Sequence, residues 1–396
     1  MKLLAVDDAR ARILAEIAVL PAEAAPLAQA MGRVLAEDVV AGRDQPPFTA
    51  AAMDGWAVRS VDCPGTLKVV GESAAGRGFA GAVGSGEAVR IFTGAAVPAD
   101  CDAVVVQEDA QRDGQIVRVP RVAPETFLRP TGGDFRAGEV LLERGTQLDP
   151  WRISLAASAG RAEVCVYGRP RVALLATGEE IVEAPAAPGP WQIYDSAVPG
   201  LAAMIAGWGG LALRARPLRD ELTSVISALR EAEADLVVTV GGASVGDHDL
   251  VRSAAQALGL SLRVESVNVR PGRPTFFGTL SDGRRLLGLP GNPASAFVCA
   301  EIFLKPIVNA YRGAATPPAT LSARLENDLP ANGPREHWMR AKLASTDAGL
   351  TVRPYPDQDS SLVSVFAASD ALMRRLPNAS AATAGSVVEV LPLARA

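Results

Sequence analysis

The chain has 396 residues, a formal net charge of −5 and two histidines. This length predicts roughly two to four domains with a real hydrophobic core. The acidic balance excludes a basic surface for nucleic acid, and two histidines exclude a metal site built from several histidines.

The cysteines and the apolar segments indicate a cytoplasmic protein. Cys63, Cys101, Cys165 and Cys299 are scattered without a Cys-x-x-Cys pair, which is typical of free thiols in a reducing compartment. The opening residues MKLLAVDDARAR have too short an apolar run for a signal peptide. We see no apolar window of about 18 residues, so we expect no membrane span.

The first elements along the chain are a helix, a β-rich region and a second helix. Residues 7–20 predict an amphipathic helix capped by Asp7 or Asp8, with Ile13, Ile17 and Leu20 on one stripe. Residues 34–133 are rich in Gly and Pro and carry β-branched runs about ten residues apart, which indicates a small β-subdomain. These runs are Leu67–Val70, Ala88–Phe92, Ala103–Gln107 and Ile116–Val119. Residues 149–160 predict a helix with Asp149 as N-cap, Pro150 first and Gly160 just past its end.

Strands and helices alternate between residues 170 and 310, and the continuous apolar strands predict a parallel α/β sheet. The predicted strands are Val172–Ala176, Leu211–Arg216, Leu236–Val240, Leu262–Val269 and Leu286–Leu289. The predicted helices are Ser196–Trp208, Glu221–Ala234, Leu250–Leu258 and one capped by Asn292 that runs to about Asn309. Residues 313–320 predict a linker, and short alternating runs in 321–396, such as Trp338–Leu343 and Val387–Leu391, predict a second small β-domain.

The loop after strand Leu236–Val240 carries the strongest chemical signal. It reads Gly-Gly-Ala-Ser-Val-Gly-Asp-His-Asp over residues 241–249. Loops at the carboxyl ends of parallel strands bind ligands, and Gly lets backbone N–H groups approach an anion closely. Asp247 and Asp249 indicate a cation or a proton transfer, so the loop predicts phosphate together with Mg²⁺.

Further charged strings follow other strands at the same edge of the sheet. Glu179 and Glu180 follow strand Val172–Ala176, where paired acids need a cation or a proton unless they form a solvated loop end. The string Arg270–Pro274 presents two guanidinium groups suited to phosphate. Leu289–Pro293 predicts a turn into a helix N-terminus, which favours anions. Unrelated surface loops are the alternative.

Together these strings suit a phosphorylated or pyrophosphate ligand held through a divalent cation. The chain has no dinucleotide-binding fingerprint and no P-loop. Ser244 lies in Gly-Gly-Ala-Ser-Val-Gly, which is not a nucleophile elbow. Catalysis would therefore depend on positioning and electrostatics.

Three strings in the β-rich part are weaker signals. They are AMDGWAV with Asp54, RIFTGAAVP with Thr93, and GGDFRAG with Asp134. On local sequence alone, a turn at Asp54 and a tight loop at Asp134 are favoured over a ligand-binding role.

Taken in order, these strings resemble the molybdopterin molybdenumtransferases, the MoeA family, to which the gephyrin E domain is similar. The set is AMDGWAV, RIFTGAAVP, GGDFRAGEVLL, TGEE, IYDS, VGGASVGDHDL, RPGRP and GLPGNPAS, and it extends from about residue 6 to about residue 375. The resemblance implies a multi-domain α/β plus β fold. Its implied parts are a helical or mixed linking (dimerisation) domain in segments 1–50 and 134–169, an inserted β-subdomain at 51–133, a parallel α/β molybdopterin-binding domain at 170–313 and a C-terminal β-barrel-like domain at 314–396.

The resemblance implies a cytoplasmic homodimer that inserts molybdate into adenylylated molybdopterin and releases AMP with the help of Mg²⁺. The cleft would be shared, because the inserted β-subdomain of the other subunit completes it. Expected partners are a molybdopterin adenylyltransferase and the enzymes that accept the cofactor, with no nucleic acid and no membrane. The alternatives are the adenylyltransferase step itself and a non-catalytic scaffold like gephyrin, and tungstate in place of molybdate stays open.

The resemblance also implies a set of site residues. The implied catalytic residues are Asp54, Thr93, Asp134, Glu180 and Asp249. The implied Mg²⁺ ligands are Glu180, Asp220 and Asp249. The implied substrate-binding residues are Gly241, Gly242, Ser244, Gly246, Asp220, Arg270, Arg273, Pro290, Gly291, Asn292, Arg340, Ser361 and Ser364.

The chain departs from the family pattern in several residues. Arg270 and Arg273 stand where lysines are usual, which keeps the charge but not the compact ammonium group. Trp56 replaces a tyrosine and lacks its hydroxyl. Glu179 replaces an aspartate and Asp247 a glutamate, so the reach of each carboxylate changes by one methylene.

Overall fold

The computed structural model describes residues 3–215, 217–242, 250–314, 320–347 and 349–393. The chain forms two compact units, residues 1–23 with 167–396 and residues 24–166. The first helix therefore belongs to the same unit as residues 167–396. Each unit is described by itself.

A six-stranded mixed sheet is the centre of the larger unit. In spatial order its strands are Leu211–Arg214, Arg171–Ala176, Leu236–Val240, Arg285–Leu289, Phe276–Thr279 and Ser261–Val264. The first four strands run parallel, as predicted. Strand Phe276–Thr279, which the sequence analysis missed, is antiparallel to both of its neighbours, so Ser261–Val264 runs in the same direction as the first four strands.

Both faces of this sheet are covered, which is why its strands are apolar throughout. Val172 and Leu174 pack in one core with the helices Ala197–Gly207 and Pro293–Cys299. The alternate residues Ala173 and Leu175 pack in a second core. The helices of that second face are Leu222–Glu231 and Leu250–Ala257.

Two helices of the first face differ from expectation. The N-terminal helix is Val6–Leu14, and its N-cap is Ala5, so the predicted capping by Asp7 or Asp8 is wrong. The last helical run, Pro293–Tyr311, includes a π-turn at Ala300–Leu304 and continues as Lys305–Tyr311. That run is long and apolar enough to cross a membrane, contrary to the prediction that no such window exists, but 89% of the window is buried inside the fold.

A closed five-stranded barrel forms the C-terminal region, as predicted. Its strands are Leu321–Leu325, Glu336–Thr346, Gly349–Pro354, Ala371–Arg375 and Val387–Pro392, and a short helix lies at Val363–Ala368. Strand Val269–Arg270 pairs in parallel with Glu336 and His337 of the barrel. The predicted strand Leu262–Val269 is therefore wrong at its end, because residue 269 belongs to a different sheet from Ser261–Val264.

The unit of residues 24–166 contains a six-stranded sheet of its own. Its strands in spatial order are Ala103–Val106, Gly55–Val58, Glu87–Ile91, Gly65–Ser73, Ile116–Val119 and Gln111–Asp113. Helix Pro150–Ser158 begins as predicted, because the Asp149 carboxylate accepts the Arg152 N–H at 2.8 Å. Two-stranded ladders join Val39–Val40 to Val140–Leu142, Ala50–Ala51 to Leu128–Arg129, and Ala22–Pro26 to Glu163–Tyr167.

Candidate active site

A cavity of about 950 Å³, the larger cavity, opens at the carboxyl ends of the parallel strands of the larger unit. Strands Arg171–Ala176 and Leu236–Val240 end at its floor, where open α/β sheets bind ligands. Its lining includes Thr177, Gly178, Glu180, Ile181, Ile193, Tyr194, Asp195, Asp220, Gly241, Gly242, Gly272, Pro290, Gly291, Asn292, Ser295 and Ser361.

The glycines at the floor are required by the geometry. Gly241 and Gly242 both have positive φ, +87° and +63°. A Cβ atom on Gly241 would lie 2.8 Å from the Thr177 carbonyl oxygen, and one on Gly291 would lie 3.3 Å from the Gly241 Cα. The two turns predicted to bind anions therefore touch each other, and only residues without a side chain fit between them.

The turn at Gly291–Asn292 is also tied to the loop that precedes the short C-terminal helix. Asn292 occupies the N-cap position, but its side chain makes no capping bond and instead donates to Ser360 Oγ at 2.7 Å. The Ala294 N–H donates to the Ser360 carbonyl oxygen at 3.1 Å. One of the free N–H groups expected at this helix N-terminus is thus already paired.

Two of the predicted acidic residues face the larger cavity together. Glu180 and Asp220 both line it. Asp220 Oδ2 accepts the backbone N–H of Glu179 at 3.3 Å, which holds the loop of Asp220 against the Thr-Gly-Glu-Glu turn. Glu179 itself is exposed and does not line the cavity.

One wall of the larger cavity is apolar and was not predicted as part of the site. Ile193 and Tyr194 line it, although they are 60% and 50% exposed. Ile193 pairs with Ile181 in a short parallel ladder, and Gln192 Nε2 donates to the Glu179 carbonyl oxygen at 2.9 Å. This wall is therefore held beside the acidic turn by a backbone ladder and by the Gln192 side chain.

A second cavity of about 700 Å³, the arginine cavity, lies between the Arg270–Pro274 loop and the barrel. Its cationic residues are Arg270, Arg273 and Arg335, and His337 also lines it. Within the described part of the chain, the three guanidinium groups form no ion pair within 4.0 Å. The lining also includes Asp357, Gln358, Asp359 and Ser360.

The Arg270–Pro274 loop packs tightly against Cys299. Gly272 has a φ of +113°, and a Cβ atom there would collide with Cys299 Sγ. Thr275 Oγ1 donates to the Gly272 carbonyl oxygen at 2.8 Å. Burial raises the pKa of the Cys299 thiol to about 12, so this cysteine is an inert packing residue.

Arg340 and the two candidate serines occupy different environments. Arg340 is fully buried, lines neither cavity, and binds Gln358 Oε1 and the Asp359 carbonyl oxygen. It holds the loop that carries Ser361, whose hydroxyl donates to Asp359 Oδ1 at 2.6 Å. Ser361 lines the larger cavity, whereas Ser364 is exposed and lines neither.

Asp54 and Thr93 lie together in the unit of residues 24–166. The Thr93 N–H and hydroxyl both donate to Asp54 Oδ1, at 2.7 and 2.8 Å. These hydrogen bonds lower the pKa of Asp54. The bond from the backbone N–H has the largest effect, and the nearby charge of Arg90 lowers the pKa further. Arg90 is fixed over the rings of Trp56 and Phe92, at 5.2 and 4.8 Å. Trp56 thus contributes a stacking surface where the family tyrosine would contribute a hydroxyl.

Asp134 lies on an exposed loop of the same unit. Its N–H donates to the Gln45 carbonyl oxygen at 2.9 Å. The carboxylate that braces this loop belongs to Asp44, which accepts the Ala137 N–H at 2.8 Å. Asp44 therefore takes the loop-bracing role that the local sequence suggested for Asp134.

Several predicted residues lie outside the described part of the chain. They are Ser244, Gly246, Asp247 and Asp249. In the other direction, sequence analysis missed Arg335, His337 and Tyr194 as cavity-lining residues. Tyr194 lies in the IYDS string, but Arg335 and His337 gave no local signal because the barrel brings them to the Arg270–Pro274 loop.

These features define a multi-domain α/β and β protein with a ligand cavity at the carboxyl edge of a largely parallel sheet. Three family models match the chain: the MoeA N-terminal region (domains I and II) at residues 4–160, a probable molybdopterin-binding domain at 173–310, and the MoeA C-terminal region (domain IV) at 322–393. The chain belongs to the MoeA family of molybdopterin molybdenumtransferases.

Individual relatives match over nearly the whole chain. A molybdopterin molybdenumtransferase of Staphylococcus aureus (strain Mu50) is 33% identical and covers 98% of this chain and 94% of its own. One from Nostoc sp. is 35% identical over 80% of this chain and 76% of its own. A crystal structure of the molybdopterin biosynthesis MoeA protein from Pyrococcus horikosii superposes with a TM-score of 0.85 at 29% identity, covering 99% of each chain.

Proposed function

We propose that the protein is a transferase of molybdenum cofactor biosynthesis that inserts molybdenum from molybdate into adenylylated molybdopterin and releases AMP. The observation that carries this proposal is the adjacency of an acidic, glycine-floored cavity and a cavity whose three guanidinium groups form no ion pair with any described residue. Gly272 and Pro274 line both cavities, so a phosphorylated substrate and an oxyanion could be held side by side.

The floor of the larger cavity suits the phosphates of the substrate. Gly241, Gly242 and Gly291 leave the backbone open to close approach, as pyrophosphate binding needs. The apolar wall of Ile193 and Tyr194 suits a planar ring. The predicted roles of Ser244, Gly246 and Asp249 in this binding remain proposals.

The arginine cavity suits the tetrahedral dianion. Arg270, Arg273 and Arg335 supply positive charge without a competing carboxylate in contact, among the residues described. Guanidinium groups bind oxyanions in bidentate geometry. The replacement of the family lysines therefore preserves the oxyanion site and changes its shape.

Glu180 and Asp220 fit a Mg²⁺ ion at the larger cavity. Both carboxylates face the same space, and carboxylate oxygens with retained waters are the ligands that Mg²⁺ prefers. When bound, the ion would neutralise charge on the phosphoanhydride. The Asp220 carboxylate is held at this position by the Glu179 N–H.

Asp54 contributes a fixed negative charge, because its lowered pKa makes it a weak proton acceptor. Its free oxygen can orient a water for attack on the phosphoanhydride. In the homodimer that we propose, Asp54, Thr93 and Asp134 complete the cavity of the partner subunit. A cytoplasmic location remains a prediction.

The test is molybdate-dependent AMP release from adenylylated molybdopterin, with Asp54→Asn and Asp249→Asn variants. Each is expected to lose about 10²-fold or more in rate. Wild-type turnover by both would contradict the assignment. Consumption of ATP and molybdopterin without molybdate would favour the adenylyltransferase step. A normal cofactor level after knockout would favour a scaffold.

Complementation tests the shared cleft. Asp54→Asn and Arg273→Ala are each expected to be inactive. Co-expressed in one cell, they form mixed dimers that keep one intact cleft, so activity should return to about a quarter of wild type. Activity no higher than that of either single variant would show that both residues act within one subunit.

A further inference from the structure

His337 is a buried imidazole in the wall of the arginine cavity. It is 6% exposed. Its Nε2 atom is buried and has no hydrogen-bond partner in the described part of the chain. A buried polar atom without a partner is uncommon in a folded protein and needs an explanation, such as a ligand that the site binds.

The surroundings of His337 are cationic on every strand that packs against it. Arg270 is its bridge partner on strand Val269–Arg270, and Arg375 is its partner on strand Ala371–Arg375. Burial and the nearby charges of Arg270, Arg340, Arg335 and Arg375 lower the pKa of His337 to about 4. The ring is therefore neutral near pH 7 and holds one N–H donor.

We propose that His337 is an oxyanion-binding residue, which donates an uncharged N–H to the dianion held by Arg270, Arg273 and Arg335. This inference rests on the oxyanion site of the proposed function. The cavity already collects three guanidinium groups, and a further charged donor at this depth would add repulsion in the unbound protein. A neutral imidazole adds a hydrogen bond without that repulsion, and an arriving oxyanion supplies the acceptor that Nε2 lacks.

The alternative is an imidazole that only fills space between two barrel strands. The two explanations differ in what a replacement must provide. A space-filling ring is replaced well by another ring, His337→Phe, whereas a donor is replaced better by an amide, His337→Gln. Leu343→Met is the matched control, since it is a volume-conserving change on the same strand, at a partly buried residue that packs against the barrel core and lies outside the cavity.

The experiment is calorimetric titration of the full-length protein with sodium molybdate at pH 7.5. We expect His337→Phe to weaken binding by about ten- to a hundred-fold, which matches the loss of one hydrogen bond to a charged group. His337→Gln should stay within a few-fold of wild type, and Leu343→Met should equal wild type. Wild-type affinity in His337→Phe, or equal losses in the Phe and Gln variants, would overturn the proposal.

A second measurement uses the unmodified side chain, in case the Phe variant does not fold. The chain has two histidines, so ¹⁵N-histidine NMR gives few signals and the Gln variant assigns those of His337. Molybdate should shift the protonated ring nitrogen of His337, with saturation at the calorimetric dissociation constant. Molybdate binding without such a shift would overturn the role of His337 alone. No molybdate binding to wild type would overturn the oxyanion site of the proposed function, and this inference with it.

Discussion

Thr93 donates two hydrogen bonds to a single oxygen of Asp54, one from its backbone N–H at 2.7 Å and one from its hydroxyl at 2.8 Å. Among the described residues, none donates a hydrogen bond to the other carboxylate oxygen, which can accept one from a substrate or a water. The hydrogen bond from the Thr93 backbone N–H does not depend on the side chain. A substitution of Thr93 can therefore remove only the hydrogen bond from the hydroxyl.

We expect Thr93→Val to raise the pKa of Asp54 towards its ordinary value of 3.8, because the hydroxyl bond is lost while the amide bond remains. Thr93→Ser keeps the hydroxyl and should leave the pKa lowered. Carboxyl ¹³C NMR between pH 2 and 6 measures both. Identical titration of Asp54 in the two variants would show that the Thr93 hydroxyl does not lower the pKa of Asp54.

Arg374 joins the exposed Asp7 of the N-terminal helix to the buried Glu336 of the barrel. It donates to Glu336 at 2.9 Å and to Asp7 at 2.8 Å, and Glu336 is almost fully buried. Arg374→Met leaves the Glu336 charge unpaired, so the free energy of unfolding should fall by about 3 kcal/mol. Arg353→Met is the control, since the Arg353 side chain is 61% exposed and its pair with Glu326 spans 3.8 Å. We expect Arg353→Met to lower the free energy of unfolding by less than about 1 kcal/mol. Equal losses for the two variants in urea unfolding would contradict the prediction.

His337 also gives the protein a pH-dependent stability. Its folded pKa, about 4, lies below the ordinary value of 6.5, so the unfolded chain binds the proton more tightly. The native state keeps its full stability above about pH 6.5 and loses up to about 3 kcal/mol as the pH falls towards 4. Urea unfolding of wild type and His337→Gln should diverge between pH 7 and 4. Parallel curves would exclude this source of acid sensitivity.

Ser361 and Ser364 are distinguished by the cavity. Ser361→Ala removes a hydroxyl that faces the larger cavity and binds Asp359, so we expect KM for adenylylated molybdopterin to rise several-fold. Ser364→Ala changes an exposed hydroxyl that faces neither cavity and should have little effect. The reverse order of effects would identify Ser364 as the family serine.

Gly241→Ala should cost more stability than a typical positive-φ glycine. The added methyl would lie 2.8 Å from the Thr177 carbonyl oxygen, in addition to the backbone strain at φ +87°. Gly283→Ala is a matched control with φ +89° and open space around the Cβ position. We expect a loss of about 1 kcal/mol for Gly283→Ala and a clearly larger one for Gly241→Ala in urea unfolding. Equal losses of unfolding free energy in the two variants would mean that the turn at Thr177 moves to accommodate the methyl group.

Local sequence predicted those elements whose signals are themselves local. Strand Leu236–Val240 has the predicted bounds, and helix Pro150–Ser158 has the predicted Asp149 cap. Strand Phe276–Thr279 was missed because its place in the sheet depends on antiparallel pairing with Arg285–Leu289, which local sequence does not show. The resemblance supplied the domain layout that periodicity could not give.

The site was predictable where its residues follow strands and unpredictable where two sheets meet. Glu180, Gly241 and Gly291 each leave the carboxyl end of a strand and line the larger cavity, as expected from their positions. Arg335 lies far along the chain from Arg270, and only the barrel pairing of Val269–Arg270 brings them to one cavity. The hydrogen-bond partners of Arg340 come from residues 358 and 359, which local sequence cannot reveal.

The two-residue strand Val269–Arg270 sets a limit on how this protein can be divided. A fragment of residues 170–313 would contain the strand but not its neighbour Glu336–Thr346, and would present unpaired N–H and C=O groups beside Arg270. An excised α/β module would therefore carry the arginine loop without the wall that fixes it. We expect chimeras that exchange C-terminal barrels between relatives to take on the oxyanion preference of the barrel donor. The reason is that the barrel supplies part of the lining of the arginine cavity.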